Sequence, residues 1–255
     1  MKKVSTVICA VFLLFAFLLG WFLPLADFNM YDRIAEGRKE QLSIEQINLT
    51  YQDDLTMSQK IRLASGLEYY EEVITLNRGM YSSRDEVKEI LTDFLISFTG
   101  RSYSQNEITW VFTPLLYNMP DNQGAIVLWE VRAHIKDWFL GFLVDDRSGA
   151  ILTCSFYSIS SGWDALIKDL SDGPSAPYFL FNRFSTALNH HYRERIDAKL
   201  MSISTSNVSV TNEDDNGNEG EPVYYYAVSF KDDKNYTYTI VIELSPTAPM
   251  LNTYT

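Results

Sequence analysis

The chain has 255 residues, 46% hydrophobic and 21% charged, so it can bury a sizeable core and is not a disordered polypeptide. Its 33 acidic residues outnumber 21 lysines and arginines, a net charge of -12 that argues against nucleic acid as a partner, because phosphate binding needs a basic surface. With only two cysteines, a disulfide scaffold, an iron–sulfur site and a cysteine-rich zinc site are excluded.

The first predicted element is a membrane anchor. Residues 4–26 carry no charge, and at about 1.5 Å per residue a helix of this length crosses a bilayer core. Lys2 and Lys3 precede it, so the charge rule predicts a cytoplasmic N-terminus and an external position for residues 27–255. The alternative is a cleaved signal peptide, for which Pro24 makes a poor cleavage site.

A helix followed by strands is predicted next. After a polar stalk at 27–52 and a short helix at 56–65, Ser83 and Glu86 have the spacing of a capping box. Apolar residues then recur at helical spacing from Val87 to Phe98, and Gly100 ends the run. Alternating or continuous apolar runs at 108–112, 125–134, 138–144 and 150–157 predict four antiparallel strands joined by short turns.

The same order is predicted again after a linker. A short amphipathic helix near Trp163 leads to a helical stripe at 178–196, and strand patterns follow at 200–210, 223–230, 236–244 and 250–253. The turn at 145–149 aligns with residues 245–248. We therefore predict an α+β fold: an N-terminal transmembrane helix followed by two tandem modules, each a helix plus an antiparallel sheet. Two unrelated α+β domains are the alternative.

These elements divide the chain into five predicted parts. The parts are the anchor at 1–26, the stalk at 27–52, a first module at 53–160, a linker helix at 161–176 and a second module at 177–255.

Residues 84–157 resemble a PepSY module, which has one helix and a small antiparallel sheet whose last hairpin turns on acidic residues and glycine. Here that hairpin spans 144–152 and includes Asp145, Asp146 and Gly149. Residues 55–63 are similar to a segment in uncharacterised membrane-anchored proteins of Firmicutes, where it precedes such a unit. The resemblance implies an extracytoplasmic binding or inhibitory module without catalytic residues, of a kind often linked to peptidases or sensor systems.

No catalytic, cofactor-binding or metal-binding residue is predicted. His190 and His191 are adjacent on a helix and point about 100° apart, which does not suit one metal ion. The acidic segment at 213–221 fails the EF-hand pattern, because Glu219 stands where glycine is needed and Tyr225 where glutamate is needed. Cys154 has no histidine near it in the sequence.

Aromatic residues are the remaining candidates for a site. Trp138, Tyr224 and Tyr225 are predicted partner-binding residues, because their strands carry rings on both faces and tyrosine and tryptophan suit protein interfaces. The alternative is that the second face packs on the other domain. The sequence predicts a non-enzymatic, single-pass, membrane-anchored extracytoplasmic protein that senses or modulates a neighbouring membrane or envelope protein. The alternatives are an anchored hydrolase with an unrecognised site and a structural envelope or sporulation protein.

Overall fold

In the part of the chain that the structure describes, nine antiparallel strands form one continuous sheet, and helices cover one of its faces. The structure is a computed structural model, which describes residues 55–65, 72–104, 106–118, 125–158, 161–168, 176–206, 223–232, 235–245 and 250–254. The anchor predicted at 4–26, the stalk at 27–52 and the acidic segment at 213–221 lie outside the described residues. Within the described ranges, no helix has the length and apolarity needed to span a bilayer.

The described residues form four helices and nine strands. The helices are α1 (Met57–Ala64), α2 (Arg84–Thr99), α3 (Trp163–Leu166) and α4 (Ala176–Ile196). The strands are β1 (Glu72–Thr75), β2 (Thr109–Asn118), β3 (Ala125–Ile135), β4 (Trp138–Asp145), β5 (Ile151–Ser158), β6 (Lys199–Ser206), β7 (Tyr224–Lys231), β8 (Thr237–Ser245) and β9 (Met250–Tyr254). Their order across the sheet is β1-β2-β3-β4-β5-β9-β8-β7-β6.

The prediction of two tandem helix-plus-sheet modules is wrong. The last strand of each half, β5 and β9, pair antiparallel, with Phe156 opposite Leu251, so the two sets of strands form one sheet. The long helices share one core as well, since the rings of Phe94 on α2 and Phe184 on α4 lie 5.8 Å apart. The physical reason is that pairing β5 with β9 satisfies backbone groups that two separate sheets would leave on exposed edges.

Helix α2 forms where the sequence predicts it. The Ser83 hydroxyl accepts a hydrogen bond from the backbone N–H of Glu86 (3.3 Å), and the Glu86 carboxylate accepts one from the backbone N–H of Ser83 (2.7 Å), which confirms the capping box. Gly100 ends the helix in the left-handed conformation, with φ of 69°, as a glycine C-cap does. The predicted stripe is buried from Val87 to Phe98, so α2 is fixed against the sheet.

The segment predicted as a linker helix is part of the core. Trp163 in α3 is 3% exposed, its indole N–H donates to the carbonyl of Ser245 (3.1 Å), and its ring lies 4.7 Å from that of Trp138. Helix α3 therefore fixes the end of β8 to the strands of the first half.

Two adjacent buried aspartates organise the turn between β4 and β5. The carboxylate of Asp145 accepts hydrogen bonds from the Lys60 ammonium at 3.1 Å through both oxygens, which ties α1 to the sheet. The carboxylate of Asp146 accepts from the Trp129 indole (2.7 Å) and from the backbone N–H groups of residues 80–82. A Cβ on Gly79 would overlap this carboxylate, so glycine is needed there. The acidic turn is thus a buried structural centre.

Candidate binding face of the sheet

The sheet has a covered face and an open face. Phe142 and Phe156 contact the helices, with ring centroids 6.4 Å from Phe94 and 5.3 Å from Phe98 respectively. Because successive side chains of a strand point to opposite faces, Gly141 on β4 and Ser155 on β5 belong to the other face. No described helix covers that face over these central strands, and a groove lies there.

One cross-strand row runs through this groove. Its members are paired in register on neighbouring strands from β2 to β7, and we call them the trench row: Val111, Arg132, Gly141, Ser155, Asn252, Glu243 and Tyr225. The residues at the centre of the row, Gly141 and Ser155, are small, so the floor of the groove is low. The row therefore forms a trench that runs across the strands.

An aromatic ladder borders the trench on one side. We give this name to His134, Phe139 and Tyr157, which are in register on β3, β4 and β5. The His134 and Phe139 rings lie 4.4 Å apart, and the Phe139 and Tyr157 rings stack at 5.0 Å with 12° between their planes. Phe139 is 37% exposed and Tyr157 46%. Large rings at this exposure are typical of surfaces that bind another molecule.

The trench is of a size that binds ligands. Its volume is about 780 Å³, within the range of roughly 300–1,000 Å³ found for ligand pockets. Leu143 lies on the side away from the aromatic ladder, four residues beyond Phe139 on β4. At about 3.4 Å per residue the two walls are therefore about 14 Å apart, wide enough for one segment of a partner chain.

The charged groups of the trench differ in their partners. Arg132 donates to the Glu130 carboxylate from two nitrogens, at 3.0 and 2.6 Å. Glu243, Asn252 and Ser155 also line the trench. Within the described part of the chain, their side chains make no ion pair or hydrogen bond. A ligand in the trench thus meets an ion pair at one end and, toward the other, three polar groups that have no partner among the described residues.

The three predicted partner-binding residues lie in different places. Trp138 is 1% exposed and packs against Trp163 in the core. Tyr224 packs against the main core from the covered face. Tyr225 is half-buried on the open face, next to Glu243 in the trench row. Of the three, the structure places only Tyr225 on the candidate binding face.

Sequence reasoning missed the central residues of this face, which are Phe139, Tyr157, Gly141, Asn252 and Glu243. For Phe139 the sequence does contain a signal that predicts its position on this face. Strand alternation puts Phe139 on the open face once Trp138 is assigned to the core. Glu243 and Asn252 gave no such signal, because they approach Ser155 only through the pairing of β9 with β5 and β8.

Cys154 and His191, two side chains of a kind that can act in catalysis, are both buried. Burial raises the pKa of the Cys154 thiol to about 12, and its backbone N–H donates to the Thr253 hydroxyl at 2.7 Å. Burial, with smaller contributions from Arg195 and His190, lowers the pKa of His191 to about 3. The Nε2 atom of His191 accepts a hydrogen bond from the backbone N–H of Ile151 (3.0 Å). Both residues serve the packing of β5.

His190 and the acidic residues around it do not form a metal centre in the part that the structure describes. His190 lies on the surface of α4, with Nε2 3.4 Å from the Glu194 carboxylate. No group of three or more His, Cys, Asp or Glu side chains among the described residues is arranged to hold a metal ion.

Comparison with protein-family models, with curated protein sequences and with solved structures found no match. The resemblance to PepSY modules stays a prediction.

Proposed function

We propose that the folded part of the chain is a binding module that holds a neighbouring membrane or envelope protein on the open face of its sheet. In this proposal residues 4–26 anchor the protein as a single transmembrane helix, and the sheet faces outward. The protein then acts by binding, as a sensor or modulator of its partner, and needs no cofactor.

The observation that carries the proposal is the trench with its aromatic ladder. Phe139 and Tyr157 expose large ring surface beside a groove of about 780 Å³. Interfaces combine such rings with a polar rim, and Glu130, Arg132 and Glu243 supply polar groups at the trench.

Cys154 and His191 lack the properties of residues in a hydrolase site. A nucleophilic cysteine needs a lowered pKa and access to substrate, whereas Cys154 is buried and its pKa is raised to about 12. A general base needs a pKa near the working pH, whereas that of His191 is lowered to about 3. These two residues therefore lend no support to the alternative of an anchored hydrolase.

Site-specific photo-crosslinking in native membranes tests the proposal. A benzophenone amino acid replaces Tyr157 in the full-length chain, and in a second variant it replaces Tyr178, which is 62% exposed on helix α4. The two positions are both exposed tyrosines, but only Tyr157 lies on the open face. We expect a discrete crosslinked product from position 157 and none from position 178.

Substitution of the same residue gives the strength of the contact. Loss of a tyrosine at the centre of an interface costs about 2 kcal/mol or more, so Tyr157→Ala should weaken the affinity of the purified chain for the partner that crosslinking identifies by about 30-fold, and Tyr178→Ala should not change it. Equal products from positions 157 and 178, or none from either, would contradict a binding role for this face.

A further inference from the structure

We infer that the trench takes a basic segment of the partner protein, with one lysine or arginine side chain held by Glu243, Asn252 and Ser155. The inference rests on the proposed binding function of the open face and adds the chemistry of what binds there.

The three polar residues form one continuous set. Ser155 on β5 is opposite Asn252 on β9, and Asn252 is opposite Glu243 on β8. Directly opposed residues in an antiparallel sheet have Cβ atoms about 4.5–5.5 Å apart. A lysine ammonium, which has three N–H donors, therefore lies within about one strand spacing of all three side chains when it is placed above Asn252.

Glu243 sets the sign of the ligand's charge. An ionised carboxylate only accepts hydrogen bonds, and Glu243 has no ion pair with any residue in the described ranges. The other acid of the trench, Glu130, is already neutralised by Arg132 at 2.6 Å. A cationic group of the ligand can therefore pair with Glu243. A charge-assisted hydrogen bond from such a group to the Glu243 carboxylate is about twice as strong as a neutral hydrogen bond.

The net charge of the whole chain also favours a basic ligand. The net charge of -12 attracts a basic segment from a distance and raises the rate of encounter. At close range, Tyr157 and Phe139 border the trench and offer apolar surface beside the polar set. The segment that fits best thus carries apolar residues next to its lysine or arginine.

The test uses two peptides and two protein variants. The probes are a fluorescein-labelled peptide of alternating lysine and leucine and its counterpart with glutamine in place of lysine. Binding to the detergent-solubilised full-length chain is followed by fluorescence anisotropy. The variants are Glu243→Gln and, as a matched control, Glu89→Gln, which removes the same charge from an exposed position on α2.

We expect the lysine peptide to bind the unchanged chain. Glu243→Gln should weaken this binding about tenfold, because the variant loses a charge-assisted hydrogen bond to the peptide. Glu89→Gln should change it less than about twofold. An equal loss in both variants, equal binding of the glutamine peptide, or tighter binding of a neutral oligosaccharide such as cellohexaose would overturn the inference.

Crosslinking separates this inference from the proposed function. If the Glu243→Gln chain still yields the full product from position 157 in membranes, the open face binds a partner but does not select a cation, and the inference fails alone. If the unchanged chain yields no product from position 157, the proposed function itself fails.

Discussion

At the scale of single residues, the buried polar groups hold the fold together. The carboxylate of Asp146 is fully buried and accepts hydrogen bonds from four N–H donors, one of them the Trp129 indole. The sequence predicted a turn at Asp145 and Asp146, because aspartate favours turns. It gave no sign that the segment before α2 wraps around this carboxylate, since those donors lie more than 60 residues away along the chain.

His191 makes the stability of the fold depend on pH. Its pKa is lowered from 6.5 to about 3 in the folded chain, so below pH 6.5 the unfolded chain binds the extra proton. The contribution of neutral His191 to the free energy of unfolding is complete above pH 6.5. As the pH falls below this value, the contribution decreases by up to about 1.4 kcal/mol per pH unit. We expect the free energy of unfolding in denaturant to fall by about 2 kcal/mol between pH 7.5 and 5 from this residue alone.

A glutamine at position 191 isolates this effect. The His191→Gln side chain does not titrate but can still accept the hydrogen bond from the Ile151 N–H, so the pH-dependent loss should become smaller by about 2 kcal/mol. His190→Gln on the exposed side of α4 should leave the loss unchanged. The same pH dependence in the His191→Gln chain would show that His191 is not the responsible group.

At the scale of elements, helix α2 is fixed to both the sheet and α4 by Phe94. This ring is 3% exposed and makes edge contacts with Phe142 at 6.4 Å and Phe184 at 5.8 Å. Phe94→Ala removes these contacts and leaves a cavity, so it should lower the free energy of unfolding by about 3–5 kcal/mol.

A neighbouring residue on the same helix provides the control. Ile96 is 36% exposed, so Ile96→Ala should cost less than about 1.5 kcal/mol. Denaturant unfolding of both variants measures the difference. A similar cost for the two changes would mean that the buried stripe is not what attaches α2.

Local signals predicted most elements but not their arrangement. The capping box at Ser83, the glycine stop at Gly100 and the apolar periodicity between them depend on neighbours in the sequence, and they located α2 correctly. The pairing of Phe156 with Leu251 joins residues 95 positions apart, and both strands have the alternation of any half-buried strand. Nothing local distinguishes one shared sheet from two separate ones.

At the scale of the whole molecule, the joining of β5 and β9 creates the candidate site. Each half of the sheet supplies part of the trench: Arg132, Gly141 and Ser155 come from the first half, and Asn252 and Glu243 from the second. Two separate modules would divide this row between two surfaces. The single sheet is therefore both the main correction to the predicted fold and the basis of the proposed function.

Filling the trench is the most direct test of that function. Gly141 forms the floor of the trench, and a Cβ there meets only the Ser155 hydroxyl, at 2.7 Å, which can rotate away. Gly141→Leu therefore fills the trench without disturbing the covered face, and its free energy of unfolding should be no lower, because glycine weakens a strand. Gly141→Ala, which fills little of it, is the graded control.

The deciding measurement is the yield of crosslinked partner from position 157 in native membranes for the unchanged, Gly141→Ala and Gly141→Leu chains. If the partner binds in the trench, leucine should abolish the product almost completely and alanine should reduce it slightly, while all three chains remain folded. An undiminished yield from a stable Gly141→Leu chain would contradict the claim that the partner binds in the trench.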